Sequence, residues 1–262
     1  MPADVSHFSM VGFVFDSRNP AAVSELAERF IQTCQPATLT ASDMSCLVRD
    51  SSGGELRLGI KKNSSGASEL VTVNPAFAGE GQVEVEVSGD ASDPDWKPYE
   101  IAIAARFSGL ETPLVFDLAD PIQASQFTVG KRLSINLSAF SYEPQLYADE
   151  TAYYKAQKDR GESVTYAANY FIPSGMFFQK VGGALPDEGN LPVPYADFAG
   201  TVLKTSLKTN TAGTRTFWWA LVRTYEGATI DVVIDPTSIN QKPKAGSIVS
   251  GRFWLSARTK AP

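Results

Sequence analysis

Histidine is nearly absent from this 262-residue sequence; His7 is the sole example. A Ser-His-Asp or Cys-His mechanism would have to run through position 7, and no nucleophile motif accompanies it. Cysteine is scarce too. Cys34 and Cys46 form no CxxC pair, so zinc sites built on Cys and His lack ligands. The phosphate loop GxxxxGK(S/T), a GxGxxG turn and the GxSxG elbow are all missing. No apolar run approaches the roughly 20 residues that cross a bilayer as a helix. The first fifteen residues show no basic stretch followed by an apolar one. These absences point away from histidine-based catalysis, nucleotide loops and membrane spans. They lead to the expectation of a soluble, cytoplasmic chain whose two cysteines are small apolar residues near a core.

What is present is enough to fold. A hydrophobic fraction of 43% supplies a core, and 20% charged residues is ordinary for a globular chain. The net charge of −6 is uneven. Residues 196–262 hold nine basic and four acidic side chains, a balance of +5, against 14 basic and 25 acidic before them. Such asymmetry marks either a nucleic-acid site or two lobes that attract each other.

Periodicity gives an α+β chain, mainly antiparallel β. A strand is expected at His7 to Phe15. Asn19-Pro20 opens a helix, with a capping residue before proline at the first position, and Pro36 stops it. Strands follow at Met44 to Arg49 and Glu55 to Lys61, joined by Ser51-Ser52-Gly53-Gly54 as a hairpin. More are expected at Gln82 to Val87, Tyr99 to Phe107, Leu114 to Leu118 and Arg132 to Phe140. Asp149 to Lys158 reads as a second helix and Val164 to Phe171 as a strand. Residues 182–195 hold three glycines and three prolines and form the expected linker. The domains are then 1–181, a mixed lobe, and 196–262, a β lobe with strands from Phe198, Arg215, Thr229 and Ile248.

The order strand, helix, strand, strand is similar to the βαβββ module of the vicinal oxygen chelate superfamily. His7-Phe8-Ser9-Met10-Val11 looks like its first strand, which often begins with a histidine ligand. The resemblance implies a divalent metal held by His7 and Glu55, and a metal-dependent enzyme as the alternative function. The C-terminal lobe resembles an OB-type barrel, a resemblance that implies single-strand nucleic-acid binding through aromatic and basic side chains.

Strand alternation sharpens the second point. Arg215, Phe217, Trp219 and Arg223 share one face of their strand. Arg252, Trp254 and Arg258 share a face of the last. Arginines flanking aromatics are typical anchors of macromolecular contacts. Asp231 and Asp235 could instead pair with these arginines across neighbouring strands. Paired carboxylates at Glu84 and Glu86, or Asp93 and Asp95, read as exposed charges. The expected function is therefore non-catalytic binding, without a cofactor. The partner is a protein or the chain's own N-terminal lobe, with nucleic acid as a further possibility and no membrane.

Overall fold

The computed structural model describes residues 6–15, 19–31, 34–64, 66–141, 143–161, 163–174 and 193–260. Its strands form two sheets. The smaller is a meander of β1 (Gln35–Thr38), β2 (Asp43–Arg49), β3 (Gly54–Lys62) and β4 (Ser68–Phe77), antiparallel throughout. The larger has ten strands: β5 (Val83–Asp90), β6 (Ala102–Phe107), β7 (Pro113–Leu118), β8 (Arg132–Ser141), β9 (Gln145–Tyr147), β10 (Phe171–Pro173), β11 (Tyr195–Asn210), β12 (Arg215–Arg223), β13 (Thr229–Ile234) and β14 (Ile248–Thr259). The fold is α+β and mainly antiparallel β.

The large sheet closes on itself. Neighbours run β11-β12-β13-β8-β5-β6-β7-β14, and β11 pairs back with β14. A β8–β14 ladder crosses this ring. Strands on both sides of the expected 182–195 boundary thus share one sheet, because β8 pairs with both β13 and β14. Residues 182–192 lie outside the described residues, and Tyr195 already belongs to β11.

Alternation along the ring strands splits their side chains between two cores. Val85, Phe116, Leu137, Val222, Val232 and Leu255 fill the ring. The opposite faces of β12, β13 and β14 send Phe217, Trp219, Val233 and Trp254 into a second core. The small sheet covers that core with Leu56, Leu58, Ile60 and Phe77.

Local chemistry explains most elements. Asn19 accepts a hydrogen bond from the Ala21 amide at 3.1 Å, and α1 (Pro20–Ile31) begins with proline, which needs no donor there. Asp149 caps α2 (Glu150–Asp159) by accepting from the Ala152 amide at 2.8 Å. β2 and β3 form the expected hairpin.

Three expectations are corrected. Residues His7 to Phe15 are not a strand. They form a turn around a single 3-10 segment, Ser9–Val11, ended by Gly12 at φ +80°. Met10, Val11 and Phe13 are wholly buried, so the apolar run plugs the second core. Of Val164 to Phe171, only Phe171 is in a strand. Gln157 instead holds the Tyr166 backbone, donating to its carbonyl at 3.0 Å and accepting from its amide at 2.8 Å. The cysteines are not two separate apolar residues. Cys34, three residues past α1, is disulfide-bonded to Cys46 on β2.

Candidate functional site

The basic-aromatic face divides where the small sheet stops covering it. On β12, Arg215 and Arg223 at the ends are exposed, while Phe217 and Trp219 between them are buried. On β14, Arg252 is exposed, while Trp254 is buried and Arg258 nearly so. Seven side chains expected to act together are thus split between the surface and an internal seam.

In the seam, the tryptophans and charged side chains have specific partners. Trp219 donates its indole N–H to Asp231 at 2.7 Å. Asp231 also accepts from the Glu80 and Gly81 amides at 3.0 and 2.8 Å and from Asn136 at 2.6 Å. Burial raises its pKa, and these four donors oppose that shift. Asp231 therefore pairs with a tryptophan and not with an arginine, while Asp235 caps the next turn through the Thr237 amide at 2.8 Å. Arg258 makes a two-pronged contact with Glu55, which Arg49 also approaches at 3.4 Å. Trp254 donates to Asp117 at 2.6 Å.

The metal alternative fares poorly on this geometry. His7 stacks on Trp254 with ring centroids 4.7 Å apart, and burial lowers its pKa to about 4. Glu55 is occupied by arginines. A divalent cation beside Glu55 would have to displace them, so this donor set does not fit one. Among the described residues, no group of three or more His, Cys, Asp or Glu is placed to hold a metal ion.

A small polar cavity of about 30 Å³ lies in the seam, lined by Arg57, Asn74, Glu100, Asp117 and Trp254. Its volume admits about one water molecule. Burial raises Asp117 to a pKa of about 7, with the Glu100 charge adding to the effect. Arg57, 4% exposed, donates to Ser45 at 2.8 Å and to Asp120 at 3.1 Å. This is a structural polar cluster too small for an organic substrate.

The large open site is elsewhere. A hollow of about 430 Å³ lies among α2, the segment after it, β11 and β14. Its walls carry Tyr153, Tyr166, Tyr170 and Tyr195, with Arg160 and Arg252 at the edges. A second hollow of about 390 Å³ shares Tyr195, Asp197 and Arg252 with it. A third, of about 450 Å³, shares Gln145 and Arg160. The three adjoin in a row, with the tyrosine hollow in the middle.

The groove is positioned by ordinary forces. Asp149 fixes the start of α2, and Gln157 clamps the backbone that carries Tyr166. Tyr166 and Tyr170 pack at 5.0 Å between ring centroids, yet Tyr166 stays 40% exposed. Arg252 pairs with Asp197 through two contacts, at 3.1 and 2.9 Å. Arg160 donates to the Tyr147 hydroxyl at 3.2 Å. Tyr195 sits opposite Trp254 in the β11–β14 ladder, so the groove and the seam lie side by side on one face of the large sheet.

Arg252 is the single expected site residue that lines this groove. Sequence reasoning missed the tyrosines, although six of the nine lie between positions 142 and 170. That density was the available signal. No protein-family model matches the chain, and no curated protein matches it.

Proposed function

We propose that this chain is a non-catalytic binding protein whose ligand lies in the tyrosine-lined groove. One observation carries the reading: three adjoining hollows each carry at least one partly exposed tyrosine beside planar polar groups. Sites of this kind combine aromatic contact area with a few fixed polar groups. The exposed Arg252 belongs to the groove. Trp219, Trp254 and Arg258 lie on the same face beyond it, where they join the two sheets. The covered aromatic face also supports the chain's own N-terminal part as the partner of those buried residues.

No described helix is long and apolar enough to cross a membrane. The Cys34–Cys46 bond supports an oxidising compartment, against the cytoplasmic location expected from the sequence.

The test is amide chemical-shift mapping with a library of small polar and aromatic fragments. The reading expects the perturbed amides to cluster around Tyr166, Tyr195 and Gly251. Perturbations confined to other surfaces, or unchanged in Arg252→Ala and Tyr166→Ala, would sink it.

A further inference from the structure

We infer that the groove binds a linear, uncharged oligosaccharide, with one sugar unit or more over each of the three hollows. This rests on the binding reading above and adds the ligand class.

Shape gives the first argument. The hollows of about 390, 430 and 450 Å³ lie in a row, joined through Arg252 at one junction and Arg160 at the other. A compact ligand would fill one of them. A chain of repeated units fills all three.

Charge gives the second. Arg160 and Arg252 are balanced in the groove by Glu143 and Asp197. Arg252 is already engaged by Asp197, and the whole chain carries −6. A polyanion needs uncompensated cations along its path, because neutralising phosphates is what drives such binding. Here an approaching phosphate or sulfate would meet Asp197 beside Arg252, and Glu143 on the hollow that Arg160 also lines. Nucleic acid and sulfated or uronate chains therefore fit badly.

Hydrogen-bond chemistry gives the third. The polar lining mixes acceptor-only carboxylates, donor-only guanidinium groups and the amides of Gln145 and Gln241, which do both. Sugar hydroxyls donate and accept at once, so they match such a mixture. A proline-rich peptide offers carbonyl acceptors and would bring no donor to Glu143. An extended peptide added to the sheet would need a free strand edge. The nearby edge strands, β9 and β10, have three residues each; β9 follows Pro144 and β10 ends on Pro173, which makes both poor templates.

The tyrosines complete the match. A pyranose presents C–H groups on a face, and an aromatic ring offers a negative face of similar size. Tyr166 is 40% exposed over the central hollow, and its backbone is held by Gln157 independently of its ring. Tyr166→Ala should thus remove a stacking platform and leave the fold in place.

The experiment is calorimetric titration of the full chain with neutral gluco-, xylo- and manno-oligosaccharides of one to six units. Affinity for at least one series should rise about tenfold or more between two and four units, a step of about 1.4 kcal/mol. Tyr166→Ala and Arg252→Gln should each weaken the best member about tenfold, with circular dichroism unchanged. Saccharide binding that both variants leave intact would overturn the inference. So would saturation by a single sugar unit. If a proline-rich peptide or a polyanion such as heparin binds and the same variants abolish it, the saccharide class is wrong while the groove remains the binding site. If no saccharide, peptide, polyanion or fragment perturbs groove residues, both readings fail.

Discussion

β14 carries two arginine–carboxylate pairs on one face, and they differ sharply in exposure. Arg258 and Glu55 have side chains 15% and 3% exposed. Arg252 and Asp197 are 73% and 38% exposed. Both contacts are two-pronged. Only the cover differs: the small sheet lies over Arg258 and ends before Arg252. A pair removed from water holds its partner against a large desolvation cost, whereas an exposed pair competes with solvent and salt. The first joins two sheets; the second shapes the rim of a groove and stays accessible.

The largest effect should come from breaking the covered pair. Glu55→Ala leaves Arg258 buried without its carboxylate, and its Nε already lacks a hydrogen-bond partner. The expected loss is about 3–5 kcal/mol by urea unfolding. Asp197→Ala is the matched control, expected at about 1 kcal/mol or less. Equal losses would show that the cover does not govern these pairs.

Next in size is the disulfide. Cys34 and Cys46 enclose a short loop, with a sequence separation of 12. Replacing both by alanine should cost about 3 kcal/mol, read as a lower denaturation midpoint. The same loss should appear on reduction of the wild type, and a thiol assay on the native protein should find no free sulfhydryl.

A smaller effect is a slope against pH. Asp117 has a folded pKa of about 7, above its ordinary 3.8. Its stabilising share is present below about pH 4 and lost as pH rises through about 7. His7 has a folded pKa of about 4, below its ordinary 6.5. Its share is present above about pH 6.5 and lost as pH falls to about 4. The two slopes oppose each other on either side of Trp254. Asp117→Asn keeps an oxygen for the Trp254 indole and removes one slope. Relative to wild type, the variant should gain stability steadily between about pH 4 and 7. A pH-independent difference would place the titration elsewhere.

The smallest effect on stability should come from the groove. Tyr166→Ala should shift the unfolding midpoint little, because the residue is 40% exposed and Gln157 holds the backbone. A large loss would mean that the tyrosines are packing residues, as the tryptophans are.

Much of the fold was legible, for local reasons. Asn19-Pro20 and Asp149 announce helix starts, and Leu56, Leu58 and Ile60 announce a half-buried strand. Pro36 reads as a helix stop, yet it sits in β1, and β4, which also contains a proline, Pro75, had no counterpart among the expected strands. β1 and β4 are the edges of the small sheet, where a missing amide donor costs little. The apolar run from Phe8 to Phe15 looks like a strand, but Gly12 turns it into the core.

The candidate site was less legible. Alternation correctly grouped Arg252, Trp254 and Arg258 on one face; it could not say that another sheet covers half of it. Cover is a long-range property, fixed by pairing and packing among residues far apart in the chain. The tyrosine groove is hidden for the same reason. Tyr153 comes from a helix, Tyr166 from an irregular segment and Tyr195 from a strand, and no period links them.

The crossing of the ring by β14 also sets an order of assembly. This strand pairs with β11, β8, β7 and β9. Until residues 248–259 leave the ribosome, β7 and β11 have no closing partner and their edges stand open. The chain must therefore wait for distant contacts, which makes folding slow and leaves strand edges exposed to other chains meanwhile.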